Sequence, residues 1–439
     1  MSHRPPRLAD KRSPVAIGVL ALALLAAGCG SSVPSSTPSP TASPTPTPAD
    51  SPSPSPSPSP VSSADVDALY DAIEGQVIAI RGLDPERDDA RKVIDEAELR
   101  TMITEQFDEE TPPEYVAAND RLYKALELIP ANADLRELTL DLLSGGVAGF
   151  YRSDQDTLYI VSKTGLPGVN ERVTFAHEYD HALQDQNTSV FTDQDGILDQ
   201  ADRILARQAV YEGDATLLMT LWATDNFDLS DLAELLALST DPEAAALLER
   251  MPAILRETLL FPYTTGLIFV QAVQAQGGWH AVDALYDRMP SSTEQILHPE
   301  SYAAREAPVV VDLPDDLATQ LGDGWSVPLE DTLGELQLGI WLRERGVDPD
   351  ESATAAAGWG GDRLAVVEGP DDTWGVVLET TWDSPADATE FLDAVQPVVD
   401  GLANPARISA PAGKVVTILI ASDAETLLAL DVIFGATGV

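Results

Sequence analysis

The sequence predicts an α+β protein: a large, mostly helical part with a small sheet just before its central helix, then a smaller C-terminal α+β part. Three observations lead there. Two β-rich runs, Val147-Ala-Gly-Phe-Tyr151 and Thr157-Leu-Tyr-Ile-Val161, bracket a polar turn directly ahead of a helical stretch that carries His177-Glu178-Tyr-Asp-His181. Most of the chain up to about residue 311 has apolar residues at helical spacing rather than in strict alternation. Beyond about residue 312 strand-like runs alternate with helices.

The chain begins with a leader. Arg4, Arg7, Lys11 and Arg12 precede an apolar run from Val15 to Ala27, which is too short to span a bilayer, a span needing about 20 residues. The run ends in Leu25-Ala26-Ala27-Gly28-Cys29. This resembles the bacterial lipobox, with Ala26 standing where that pattern usually has Leu. The resemblance implies that residues 1–28 are a signal peptide, cleaved after Gly28, and that Cys29 carries lipid; an ordinary secretory signal is the plainer alternative. Cys29 is the only cysteine, so the chain has no intrachain disulfide and no thiolate metal cluster. Residues 29–60 follow as a spacer of Ser, Pro, Thr and Ala that ends in a Ser-Pro repeat. Such a segment is extended and polyproline-like, with a reach on the order of 90 Å. No second membrane segment is expected.

The folded body, residues 61–439, is long enough for two domains, expected over 61–311 and 312–439, because single cores rarely grow past about 300 residues. The chain as a whole is strongly acidic: Asp and Glu number 72 against 26 Lys and Arg, a net charge of −46. Loss of the leader, with four basic groups against Asp10, takes this to about −49. That surface repels nucleic acid and anionic headgroups, and suits high salt or a cation-rich exterior.

In order along the body, residues 64–80 carry apolar side chains at helical spacing and stop at Gly82. Residues 94–107 read the same way. Pro112-Pro113 opens a helix over 113–128, proline being tolerated at a helix start. Gly145-Gly146 breaks the pattern ahead of the two β-rich runs. After a turn at Pro167-Gly168, Asn170 is the expected N-cap of the central helix, which runs to about residue 186. A polar loop leads to a second long helix over 202–222, with Leu205, Ala209, Leu217 and Leu221 on its apolar stripe and Gly213 inside it. Helices are expected over 261–277 and 279–289, and residues 291–302 form a polar segment. In the C-terminal part, 331–345, 385–398 and 423–430 read as helices, the last capped by Ser422. Residues 364–367, 374–381 and 415–420 read as strands. This part has neither His nor Cys. Its expected role is to pack against or cover the larger part, with binding of an envelope ligand as the alternative.

His177 and His181 are two of only five histidines. Four residues apart on a helix, they share one face and can turn a ring nitrogen to a single ion. Glu178 is rotated off that pair and can reach a water on the ion as general base. Two histidines and a water leave zinc one ligand short. Glu212, inside the next helix, is the expected third ligand, and Asp214 is its rival. Residues two apart do not share a helix face, so one ligates while the other holds the outer nitrogen of a ligand histidine. Gly213 between them marks close approach of the two helix backbones. Asp185, four residues after His181, is either another such partner or a plain helix-extending charge.

The strand, the H-E-x-x-H helix and the second helix with its Glu together resemble the gluzincin branch of the zincin metallopeptidases. The matching residues are His177, Glu178, His181 and Glu212, and the likeness covers about residues 148–222. It implies a zincin-like fold, a zinc ion on those ligands and hydrolysis of a peptide or protein substrate. An edge strand, Phe150-Tyr151 or 157–161, would hold the substrate backbone. Many gluzincins carry an acidic residue a full turn beyond the Glu ligand. Here Thr216 and Leu217 stand there, and Asp214 is the nearest substitute. Such an enzyme also needs a donor for the oxyanion. His298, in the polar segment next to Pro299, is the first candidate, followed by Tyr302 and then Tyr263. His280 follows Gly-Gly-Trp and reads as a packing or capping residue.

The expected activity is therefore zinc-dependent peptide hydrolysis by a protein lipid-anchored outside the bacterial cell membrane. A scaffold lipoprotein with a structural or degenerate zinc site is the competing reading, and a non-peptide hydrolase on the same metal is a third. Glu178 separates the first two. A structural site needs ligands but no base, and is commonly closed by a fourth protein ligand, for which His298 would serve.

One acyl chain anchors only marginally, so the multiply acylated cysteine of the lipobox is required. Cell fractionation should find the wild-type protein on membranes and a Cys29→Ser variant released or mislocalised. A wild-type protein wholly soluble inside the cell overturns this expectation.

Overall fold

The computed structural model describes residues 63–435 apart from 163, 192–198, 240–241 and 410–412. The leader, Cys29 and the spacer lie outside these residues. The architecture is α+β and mostly helical, with a small sheet ahead of the central helices and a second one near the C-terminus.

The chain enters through α1 (Ser63–Arg81), β1 (Ala90–Ile94), α2 (Glu96–Glu110), α3 (Pro113–Ala125) and α4 (Leu135–Gly146). β2 (Gly149–Arg152) and β3 (Thr157–Val161) form the expected hairpin, paired antiparallel from Gly149↔Ile160 to Arg152↔Thr157. β1 lies parallel to β3 on its other side, from Ala90↔Thr157 to Ile94↔Val161. Its run Ala-Arg-Lys-Val-Ile buries only Ile94 and shows no alternation, so nothing in the sequence marks it as a strand. The order β1–β3–β2 leaves β2 as an edge, packed on the next helix.

That helix is α5 (Val169–Asn187), and α6 (Ala201–Asn226) packs across it. Gly168, not Asn170, occupies the N-cap position of α5; Asn170 falls inside the first turn, because the Pro167-Gly168 turn leads straight into the helix. Then come α7 (Leu229–Ser239), α8 (Pro242–Arg250) and α9 (Ala253–Phe261), a π turn over Pro262–Gly266, and α10 (Leu267–Gly277). The helix expected from residue 261 is thus the second half of a rod that starts at Ala253. Among the described residues, this rod is the helix whose length and composition would let it cross a bilayer. Here its inner side packs on α6, and a core helix passes the same test. The short helices α11 (Trp279–Tyr286), α12 (Thr293–Leu297) and α13 (Pro299–Ala304) complete this part.

The C-terminal part comprises α14 (Leu317–Leu321), β4 (Ser326–Asp331), α15 (Gly334–Glu344), α16 (Pro349–Ala356), β5 (Trp359–Glu368), β6 (Trp374–Trp382), α17 (Pro385–Asp400), β7 (Ala406–Ile408), β8 (Val415–Ala421) and α18 (Ala424–Phe434). Its strands form one antiparallel sheet in the order β4–β5–β6–β8–β7. Side chains alternate between faces along a strand. Leu364, Val366, Val376, Leu378, Ile418 and Ile420 accordingly meet Phe391 and Val395 of α17, while Ala365, Val367, Val377 and Leu419 meet Leu430 and Phe434 of α18. The α17 face also joins Leu122 of α3 and Ile254 of α9 in one core that runs across residue 311. The cap of α18 is Asp423 rather than Ser422: its Oδ1 accepts from the Glu425 and Thr426 amides, one residue nearer the first turn.

Gly213 does mark a close backbone approach, but to the π turn rather than to α5. A Cβ built on Gly213 would stand 2.5 Å from the Gly266 carbonyl oxygen, and one on Gly266 would stand 2.4 Å from the Ala209 carbonyl oxygen. Two facing glycines let the π turn sit directly on α6. A Gly213→Ala substitution forces these backbones apart and should lower stability by about 1–3 kcal/mol, the usual range for overpacking. Denaturant unfolding checks this, and an unchanged midpoint would contradict the packing described.

Candidate metal centre

α5 is buried along nearly its whole length, including Thr174, His177, Glu178, Asp180, His181, Gln184 and Gln186. α6 likewise buries Glu212 and Asp214. Where the two helices meet, His177 Nε2, His181 Nε2 and Glu212 Oε2 converge. The two nitrogens are 3.1 Å apart, and each lies 3.2 Å from the carboxylate oxygen. His177, His181 and Glu212 form a group able to hold a metal ion, and each is 1% exposed or less.

The tautomer of His181 tests that reading. Gln184 turns its Nε2 donor to Asp180 Oδ2 at 3.1 Å and to the Tyr211 carbonyl at 3.0 Å. Its Oε1 therefore faces His181 Nδ1, 2.9 Å away, and an amide oxygen can only accept. Nδ1 carries the proton, so the neutral imidazole presents the Nε2 lone pair to the centre. A lone pair facing a carboxylate at 3.2 Å is repulsive unless a positive charge stands between them. Without a metal, that charge is a proton. Burial works against the His181 cation, but Glu212 outweighs it and lifts the imidazolium up to about 10. Glu212 is in turn drawn down to about 2 against the effect of burial, chiefly by His181. His177 is pushed down by burial, with Glu212 opposing. Tetrahedral zinc with bonds of about 2.0 Å sets its ligands about 3.3 Å apart, which the three observed spacings match. The residues present fit such an ion.

Glu178 lies beside this cluster, 1% exposed. Burial raises its carboxyl to about 8, with the charge of His181 opposing and the Tyr151 backbone amide of β2 also favouring ionisation. Its Oε2 is buried without a hydrogen-bond partner. Aromatic rings close over the group: those of Phe191 and Tyr211 each stand 6.1 Å from the His181 ring, and that of Tyr263 stands 6.2 Å from the His177 ring.

The other residues singled out in the sequence are placed as follows. Asp214 turns away from the centre, accepting from Arg81 at 3.0 Å and from the Tyr286 hydroxyl at 2.7 Å. Asp185 accepts from Tyr151 Oη at 2.8 Å and from Arg87 at 2.5 Å, tying α5 to β2 rather than touching a ligand histidine. Tyr263, in the π turn, is brought to the cluster. His298 sits at the α12–α13 corner with Nε2 2.8 Å from Glu335 Oε1, a bond that holds its imidazolium above the usual range. The hydroxyl of Tyr302 donates to the Arg288 carbonyl at 2.9 Å. His298 is not part of the His177–His181–Glu212 group.

Two contributors were missed. Gln184 stands three residues past His181, and its amide role shows only once Asp180 and the Tyr211 carbonyl are in place. Arg81, from the far end of α1, is wholly buried between Asp214 and Asp180, the latter 3.7 Å away. It also reaches Asp283 at 2.7 Å and lies over the Trp279 ring. Its only sequence signal is a basic residue ending an otherwise unremarkable helix.

Residues 323–430 match a domain of unknown function (DUF8575), which here spans the C-terminal sheet and its helices. No curated protein matches the chain. Among solved structures, "a putative hydrolase with a novel fold" from Chloroflexus aurantiacus is similar at a TM-score of 0.37 and 18% identity, covering 56% of this chain and 92% of that one.

Because His181 holds its proton up to about pH 10, each ion bound between pH 6 and 8 displaces one proton. Zinc affinity should then climb about tenfold per pH unit over that window. Losing the Gln184 amide, as in Gln184→Leu, should weaken binding about 10- to 100-fold. Competition with a chelating dye measures both. A pH-independent affinity would remove His181 from the ligand set.

Proposed function

We propose that this chain is a zinc-dependent hydrolase that cleaves peptide bonds, with Glu178 as its general base. The observation that carries the reading is the buried Glu178 oxygen, without a hydrogen-bond partner, beside a group of three ligands, with no fourth protein ligand among the described residues. A closed structural site has no use for such a carboxylate. His177, His181 and Glu212 would hold the ion, which supplies Lewis acidity to the scissile carbonyl and to water.

Glu178 takes a proton from the attacking water and passes it to the leaving amine. Its burial favours both halves of that task, because a carboxyl raised towards neutrality gives up a proton as readily as it takes one. β2 supports the substrate end of the reading. It is an edge strand of the kind to which an extended peptide can add, and its Tyr151 amide donates to Glu178. Tyr263 is the proposed donor to the oxyanion, its ring standing closest to His177 among the tyrosines and histidine considered for that role. The leader supports a place outside the cell, on membrane-anchored lipid at Cys29, with envelope peptides or proteins as substrates.

One observation favours a second reading. All four residues of the group are 1% exposed or less beneath a roof of aromatic rings, as in a structural metal site of a scaffold protein. The two readings diverge on one substitution. In the enzyme, Glu178→Gln leaves zinc content and fold intact and lowers turnover of a peptide library by about 10²–10⁴-fold. Tyr263→Phe lowers turnover about 10²–10³-fold, with less effect on KM, as expected of an oxyanion donor. Wild-type protein loaded with zinc yet inert on the library, or a Glu178→Gln variant as active as wild type, would leave the structural reading standing.

A further inference from the structure

Away from that centre, three carboxylates from separate elements converge. Glu294 on α12, Glu306 just past α13 and Asp383 just past β6 each bring an oxygen within 4.8 Å of the others. On so acidic a surface an exposed cluster means little by itself. Glu294, however, is 3% exposed, and the charges acting on its carboxylate are those of Glu306, Glu335 and Asp383, with His298 opposing them. Glu335 adds to the group: His298 takes its Oε1, its Oε2 is buried with no partner, and its charge acts on both Glu294 and Asp383. Asp387 adds a further negative charge at Asp383.

Positive charge is short here. His298 is committed to Glu335, and Lys414 turns its Nζ to the Asp383 backbone carbonyl. Burial, reinforced by Glu306, Glu335 and Asp383, pushes the Glu294 carboxyl up to about 8. The backbones behind the exposed pair are nevertheless fixed. The Gln295 side-chain Nε2 donates to the Glu306 carbonyl, the Glu306 backbone amide donates to Ser301 O at 3.0 Å, and the Asp383 backbone amide donates to Gly358 O at 2.9 Å. Like charges held together on a fixed frame favour a cation between them, and every ligand atom on offer is a hard carboxylate oxygen.

We propose that Glu294, Glu306 and Asp383 bind a calcium-type divalent cation, with water completing its coordination. Carboxylates and water suit calcium, which accepts six to eight oxygens in irregular geometry, whereas zinc prefers the nitrogen-rich centre between α5 and α6. The ion bridges the α12–α13 corner and the turn after β6, and so pins the helical part to the C-terminal sheet.

The test uses the zinc-loaded mature chain, with calcium alone as probe. About 2 mM calcium should raise the melting temperature by roughly 3 °C or more, and calorimetry should find about one ion per chain. Asp383→Asn should lose that response with zinc content unchanged. Glu294→Gln should lose it too, and should melt higher than wild type in calcium-free buffer, because a repelled buried charge has gone. Folded wild-type protein that shows neither the shift nor heat of binding overturns the proposal. So does an undiminished response in both variants. A wild type stabilised by acidification from pH 8 to 6 but indifferent to calcium would assign the cluster to shared protons, and would also overturn it.

Discussion

The structure depends on how it neutralises negative charge at the crossing of α5 and α6. Glu178, Asp180, Glu212 and Asp214 all lie in the interior, each 1% exposed or less. An isolated buried carboxylate costs several kcal/mol, which the fold cannot carry four times over. Two devices answer this. Arg81 arrives from α1 and stands between Asp180 and Asp214 with its own side chain wholly buried. At Glu212 the counter-charge is the proton or metal ion held with His177 and His181. The two devices are joined, since Asp180 also accepts from Gln184, and Gln184 sets the tautomer of His181. Removing Arg81 would thus strand two carboxylates and loosen a ligand in one step. This explains how α1, which carries no ligand itself, belongs to the centre.

The close approach of Gly213 and Gly266 does for distance what Arg81 does for charge. Glu212 reaches the histidines because α6 lies tight on α5. Tyr263 reaches them because the π turn lies tight on α6, with no Cβ at the contact on either side. A π turn is a costly local geometry that often occurs at functional sites. Here it rotates Tyr263 inward midway along a rod whose other turns pack as ordinary helix. Buried Tyr263 joins Ile94, Phe150 and Tyr159 in one apolar cluster, so the same ring that roofs the centre also ties it to the first sheet.

What could be read from the sequence follows the range of each interaction. His177, Glu178 and His181 are legible because a helix fixes their spacing locally. The hairpin at 149–161 and the strands β5, β6 and β8 are legible because their periods are local too. Glu212 was within reach because the chemistry demanded one more ligand and the next helix offered it. Gln184, Arg81 and the part played by Tyr263 exist only through partners on other elements. α5 also hides its own character: buried all round, yet carrying polar residues on every face, it has no apolar stripe to mark its packing. His298 has a partner that the sequence does not announce. Pro299 is the first residue of α13, and in so acidic a chain the imidazole beside it pairs with Glu335.

The burial of the centre leaves one thermodynamic question, and Glu178 bears on it. If the site were only structural, the buried Oε2 without a donor would be a standing cost of about 1–3 kcal/mol. Burial already lifts this carboxyl to about 8, so much of the population near neutral pH would avoid the charge by holding a proton. A glutamine or an apolar side chain would fill the same volume without that ambiguity. Next to a three-ligand group with no fourth protein ligand among the described residues, a carboxylate that burial lifts so far is costly as structure. The proton transfer proposed for Glu178 would account for that cost. Phe191, Tyr211 and Tyr263 stand around the same group, and apolar rings that keep water away would strengthen the field at any charge that develops beside Glu178.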